Sequence, residues 1–273
     1  MSNVNTDNTD PSTDAVICQI SASGVARITL NRPEIHNAFD DVLIGDLTAK
    51  LDALNADPVV RVVILTGAGK SFSAGADLNW MKRMAGYSHT ENLADSRALA
   101  RLMKTLNFCS KPTIGLINGA AFGGGVGLAA CCDIVIASDR ASFCLSEVKL
   151  GLIPAVISPY VVEAIGVSQA RRYFLTAERF DAATALAIGL VHEIVSGDDL
   201  TARGDAMAKL LLANGPGAMN AAKSLIYAVA NKPIDDDVID DTARRIADQR
   251  ASAEGREGVS AFLEKRPPKW SEN

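Results

Sequence analysis

The sequence predicts an α/β protein with a largely parallel sheet and a helical C-terminal end, and three observations lead there. Apolar segments of strand length alternate with amphipathic helical stretches from about residue 16 to residue 154. Strands feed helices that return to strands, which demands crossover connections and hence parallel pairing. Beyond Pro154 the strand signals nearly cease while helical segments succeed one another. At 273 residues the chain suits a single core. The expected organisation is a disordered tail over residues 1–13, a core domain over 14–200 and a helical region over 201–273.

Taken in order, Val16 to Ile20 and Val25 to Leu30 flank the turn Ser21 to Gly24 as a hairpin would. Asn31-Arg32-Pro33 stops the second strand. Phe39, Leu43, Leu47, Leu51 and Leu54 recur at helical intervals, and the continuous run Val59 to Leu65 reads as a strand buried on both faces. A loop over Gly67 to Met81 precedes a helix over roughly Thr90 to Phe108. Thr113 to Ile117 is the next apolar strand, the glycine run Gly123 to Gly125 opens a small-residue helix, and Ile134 to Ala137 is again a strand. The later helices are expected over Pro159 to Ile165, Ser168 to Thr176, Ala182 to Ile188, Leu200 to Ala213, Met219 to Ala230 and Val238 to Ala251, with one strand at Val191 to Val195. Gly166, Gly189 and Gly215 fall where left-handed helix caps are needed.

Composition narrows the function. The formal charge is −5 and no segment concentrates Lys and Arg, which argues against a nucleic-acid surface. No apolar run approaches the ~18 residues of a membrane span. Met1 to Thr13 lack the basic start and apolar stretch of a secretory leader. Five cysteines (Cys18, Cys109, Cys131, Cys132 and Cys144) form no CxxC pair and are odd in number, so neither a disulfide framework nor a zinc site is expected, and a cytoplasmic location fits. His36, His89 and His192 are too scattered to suggest a metal. Cys131 and Cys132 read as packing residues.

The glycine run carries the first chemical signal. Amides at the start of a helix have no intrahelical acceptor, and the helix dipole adds positive character there, so an anion or a developing oxyanion is favoured. Glycines at such a place also permit a tight turn and close helix packing, and that plainer reading stands beside the functional one. Gly67-Ala68-Gly69-Lys70-Ser71 resembles the end of a P-loop but lacks its first glycine, because Ile64 occupies that place. Gly125, Gly127 and Ala130 satisfy a dinucleotide pattern, yet Ala120 to Gly123 separate them from the strand.

Three stretches together resemble the enoyl-CoA hydratase/isomerase, or crotonase, family: Phe72 to Leu78, Asn118 to Gly125 and Phe143 to Val148. Asn31-Arg32-Pro33 and Ala261 to Arg266 join the resemblance, which runs from about residue 15 to 270. It implies a spiral of ββα units, a helical C-terminal trimerisation region, and a homotrimer or homohexamer acting on an acyl-CoA. No metal or separate cofactor is implied, coenzyme A being part of the substrate.

By the same resemblance, the main-chain N–H groups of Ala76 and Gly124 match a pair that holds a thioester oxygen, and Glu147 matches a carboxylate that handles protons. Lys70 and Lys265 match positions near the coenzyme A phosphates, with Ala74, Ala76, Asp77, Leu78, Gly123 and Gly124 lining the substrate path. Asp77 also reads as ordering its loop through main-chain bonds. Family hydratases carry a second glutamate where this chain has Gly127. The surrounding segments are most similar to a bacterial branch of methylglutaconyl-CoA and carboxygeranoyl-CoA hydratases. The expected activity is therefore water addition to a branched 2-enoyl-CoA, with a single-carboxylate isomerase or a non-catalytic acyl-CoA binder as alternatives. A substrate carboxylate would need a cation, for which Lys82, Arg83, Arg97, Arg101 and Lys149 are candidates.

Overall fold

The computed structural model describes residues 14–271, so the expected tail over residues 1–13 lies outside the described residues. Strands β1 (Val16–Ile20) and β2 (Val25–Leu30) form the expected antiparallel hairpin. Helix α1 (Asp41–Ala56) starts at Asp40, whose carboxylate accepts from Leu43 N at 2.8 Å. Leu43, Leu47, Leu51 and Leu54 line its buried face. Phe39 lies ahead of the cap, which corrects its expected place on that helix.

A repeating unit follows. Strand β3 (Val62–Gly67) leads into a short β4 (Ser71–Ser73) and then helices α2 (Leu78–Met84) and α3 (His89–Asn107). Strand β5 (Thr113–Ile117) leads into β6 (Ala120–Phe122) and α4 (Gly124–Ala130), and β7 (Ile134–Ser138) into β8 (Ser142–Cys144) and α5 (Ser158–Thr176). The first strand of each unit joins one sheet and the second joins another. The larger sheet runs β1-β2-β3-β5-β7-β10 and the smaller β4-β6-β8-β9, where β9 is Phe180–Asp181 and β10 is Glu193–Val195. All neighbours from β2 to β10 in the larger sheet are parallel, as are β4, β6 and β8. The architecture is the expected α/β spiral of ββα units.

Burial explains why β3 has no polar face. Val63 and Leu65 enter the main core, whereas Val62 and Ile64 join Ile114, Leu116 and Ile136 beneath α7 (Leu200–Leu212) on the sheet's other side. Val59, expected in this strand, precedes it and is exposed. The Gly67 to Met81 loop is corrected to contain β4 and most of α2. Three-residue strands leave no periodicity to read.

Helix α6 (Ala182–Ala187) precedes β10, and helices α8 (Pro216–Val229), α9 (Asp236–Ala251) and α10 (Ala253–Glu264) follow α7, the last of them not expected from the sequence. Gly166 (φ 72°), inside α5, and Gly189 (φ 87°) adopt the left-handed conformation. Gly215 does not: its φ is −62° and it caps the start of α8, where Pro216 occupies the first turn. Helices α8 and α9 bury none of their residues, and Ile226, Ile234, Phe262 and Leu263 are all more than half exposed. No helix among the described residues is long and apolar enough to cross a membrane.

Helix α8 is tied to the sheet through Asp133, whose Oδ2 accepts from Lys223 Nζ at 2.8 Å, Thr113 N at 2.8 Å and Thr113 Oγ1 at 2.9 Å. Removing that carboxylate leaves the buried Thr113 N–H and the mostly buried Lys223 ammonium without this acceptor, while the Thr113 hydroxyl keeps its bond from Asp133 N. Asp133→Ala is expected to cost about 2–4 kcal/mol in urea unfolding. A loss below about 0.5 kcal/mol would contradict this role.

Candidate active site

The carboxyl ends of three parallel strands collect the residues of interest. Strand β6 lies between β4 and β8, pairing Ser73 with Ala121 on one side and Phe122 with Cys144 on the other. Chain leaving β4 therefore runs beside chain leaving β6, and chain leaving β8 beside both. These exits carry Ala76, Gly124 and Glu147.

The first exit is held by the turn after β2. Asn37 is fully buried with φ 54°, a left-handed conformation that asparagine tolerates better than most residues. Its side chain accepts from Arg32 N at 2.8 Å and donates to Ala68 O at 2.9 Å and Ser71 O at 2.8 Å. Phe39 then bridges to the strand exit, its N–H donating to Gly75 O at 2.6 Å and its carbonyl accepting from Asp77 N at 2.7 Å. In such a parallel bridge the flanking residues make the bonds, so the N–H of Ala76 itself points away from Phe39. Ala76 is exposed. The Asp77 carboxylate caps α2, accepting from Asn79 N at 2.8 Å and Trp80 N at 3.0 Å.

The second exit turns sharply at Gly123 (φ 50°, ψ −119°), a conformation for which glycine is suited. Its N–H donates to Cys144 O and its carbonyl accepts from Val126 N, both at 2.9 Å. Gly124 is the first residue of α4, so its N–H has no intrahelical acceptor. The two exits touch. A Cβ on Gly75 would lie 2.9 Å from Phe122 O, one on Gly125 2.7 Å from Ser73 O, and one on Gly124 2.5 Å from Phe39 Cε2.

Glu147 opens a short 3-10 turn, Glu147–Leu150, closed by Gly151 at φ 72°. A Cβ on Gly123 would lie 3.2 Å from its Oε1. Its Oε2 is buried and has no hydrogen-bond partner. Burial, with no compensating cation, raises the carboxyl pKa above the ordinary glutamate value, and one main-chain hydrogen bond opposes the shift. Such a group is a proton acceptor kept partly dry.

One turn along α4, Gly127 faces Ile157. A Cβ there would run into Ile157 Cγ2 and lie 3.3 Å from Met103 Cε. Both side chains are buried, so the space beside Gly127 is filled with hydrocarbon. The sequence shows the missing side chain but not the Ile157 and Met103 hydrocarbon that takes its place.

The other candidates are placed unevenly. Ala74 and Leu78 flank the Ala76 turn, and Leu78 is 73% exposed, while Lys70 lies in the exposed turn before β4. Lys265 caps α10 with φ 54°, and no contact among the described residues joins it to this cluster. Arg83 pairs with Asp41, and Arg101 with Asp52 at 3.0 Å, both at the surface. Burial pushes the Cys131 and Cys132 thiols well up, which suits packing residues. A cavity of about 870 Å³ between the β1–β2 hairpin and α7, lined by Arg27, Arg61, Lys209 and Trp270, touches none of these residues.

Comparison with known proteins follows the same lines. Residues 21–273 match the family described as enoyl-CoA hydratase/isomerase. The chain is 33% identical over 249 residues to the crotonyl-CoA hydratase of Syntrophomonas wolfei, covering 89% of this chain and 92% of that one. A crystal structure of an enoyl-CoA hydratase from Shewanella pealeana is similar with TM-score 0.91 and 49% identity, covering 94% of this chain and 96% of that one. One from Bacillus anthracis gives TM-score 0.87 and 30% identity, covering 95% and 100%.

The raised Glu147 pKa has a stability consequence with a definite sign. Below about pH 4 the carboxyl is protonated in folded and unfolded chains alike; as pH rises, the unfolded chain ionises first and is favoured. Wild-type stability relative to Glu147→Gln should therefore fall as pH climbs from about 4 through the raised folded pKa. Urea midpoints for both proteins across that range measure it, and a difference that stays flat would mean the group is not desolvated.

Proposed function

The chain belongs to the enoyl-CoA hydratase/isomerase family, and from that premise we propose a hydratase that adds water across the 2,3-double bond of a branched enoyl-CoA such as 3-methylglutaconyl-CoA, using one carboxylate. The observation that carries the reading is Glu147, whose Oε1 lies beside Gly123 and whose Oε2 is buried without a hydrogen-bond partner. A buried carboxylate oxygen without a donor is costly, and it is left open to accept a proton or a hydrogen bond from a ligand.

In the proposed reaction the Ala76 and Gly124 amides donate to the thioester oxygen. Glu147 takes a proton from water as the water oxygen bonds to C3. The π electrons move toward the carbonyl, giving an enolate whose negative oxygen the two amides hold. The protonated Glu147 then delivers its proton to C2 and is again a carboxylate. Loss of one oxyanion donor typically lowers the rate ~10²- to 10³-fold. A raised carboxyl pKa makes Glu147 a stronger base when ionised, and its conjugate acid returns the proton.

Coenzyme A would run past Ala74, Asp77, Leu78 and Gly123 toward Lys70, with Lys265 supplied by a neighbouring subunit of a homotrimer or homohexamer. The apolar faces of the C-terminal helices support such an assembly. The proposed chemistry uses no further cofactor, and a cytoplasmic enzyme acting on a soluble thioester is the corresponding cellular picture.

Ile157 beside Gly127 favours one second reading. With that space filled, no second acid can stand there, and a lone carboxylate is sufficient to move a proton from C4 to C2 of a 3-enoyl-CoA. Initial rates by enoyl absorbance separate the two. The hydratase consumes 3-methylglutaconyl-CoA faster than crotonyl-CoA, and Glu147→Gln lowers kcat at least ~10³-fold. Turnover of 3-enoyl-CoA alone, with every 2-enoyl-CoA unchanged, would establish the isomerase instead.

A further inference from the structure

Resting on the reading of the Ala76 and Gly124 amides as oxyanion donors, we propose that Phe39 is the positioning residue that sets the gap between them. The two donors come from different strand exits, and Phe39 bears on both. Its main chain clasps the residues on either side of Ala76, through bonds of 2.6 Å to Gly75 O and 2.7 Å from Asp77 N. Its ring edge lies against Gly124, where an added Cβ would be 2.5 Å from Cε2 and 3.0 Å from Cδ2. At 1% exposure the ring has nowhere to move, and the Asp40 cap that follows anchors its other end to α1.

The physical demand is narrow. An oxyanion donor works when it stands about 2.7–3.1 Å from where the charged oxygen will be. The close approaches at Gly75 and Gly125 stop the exits from closing further. The Gly125 approach bounds the first α4 turn from the β4 side, and the height of Gly124 within that turn, where the donor N–H originates, depends on what lies against Gly124 itself. The ring beneath Gly124 supplies that height, as a rigid spacer whose backbone is already bonded to the other donor's turn. A smaller side chain keeps the main-chain clasp and removes the spacer.

Butyryl-CoA labelled with ¹³C at the thioester carbonyl tests this without any chemistry at Glu147, because the saturated chain cannot be hydrated. Its carbonyl resonance moves downfield when the oxygen accepts hydrogen bonds. Wild-type protein should show that displacement on binding. Phe39→Leu, chosen because it keeps the core filled, and Phe39→Ala should bind the probe within about threefold of wild type and show a smaller displacement. Their kcat should fall about tenfold to a hundredfold with KM nearly unchanged, since the loss is of transition-state stabilisation. A merely structural role would lower the melting temperature and leave displacement and kcat per folded protein intact; that result in Phe39→Leu overturns the proposal. A wild-type protein showing no displacement overturns the oxyanion reading beneath it as well, whereas wild-type displacement retained in both variants removes Phe39 alone.

Discussion

Main chain approaching main chain is the constraint on which the candidate site depends. The ends of β4 and β6 and the residues that follow them come so close that Gly75 and Gly125 have no room for a side chain. That approach follows from parallel pairing in the smaller sheet, which sends both exits off the same end. The larger sheet sets the spacing of the units, and its two hydrophobic layers hold it rigid. Ligand chemistry at the carboxyl ends of parallel strands is a general property of such folds. In the proposed reading it takes the form of two main-chain amides from neighbouring exits and one carboxylate from a third.

Electrostatics at these strand exits are lopsided. The positive features are fixed dipoles, a helix start and a turned-out peptide, neither of which titrates. Glu147 is the counterpart, raised in pKa by burial and unaided by any cation. Such an arrangement reduces folded-state stability once the group ionises. The hydrocarbon of Ile157 and Met103 beside Gly127 keeps a second acid out of the neighbourhood.

Legibility of the sequence followed the size of each signal. Long periodic segments such as α3 and α7, and the apolar β3, β5 and β7, were readable because many residues repeat one pattern. Strands β4, β6 and β8 were invisible, being three residues each and rich in Ser and Ala. They form the sheet whose exits carry the candidate site, so its geometry was beyond periodicity. The motifs around Ala76, Gly124 and Glu147 were legible through resemblance, and the structure brings those residues to neighbouring strand exits. Phe39 was misplaced on α1, although Asp40, standing three residues before Leu43, is an N-cap signal that would have excluded it. Nothing in the sequence announces that Ile157, thirty residues on, fills the space beside Gly127.

A single carboxylate that both activates water and returns the proton must act on one face of the double bond. The stereochemistry of hydration in D₂O tests that most directly, read by NMR from the 3-hydroxyacyl-CoA formed at early times. Deuterium at C2 and hydroxyl at C3 added to the same face, in a single diastereomer, is the outcome expected of Glu147 working alone. Addition to opposite faces, or a mixture of diastereomers, would require a second proton donor and would contradict the one-carboxylate cleft.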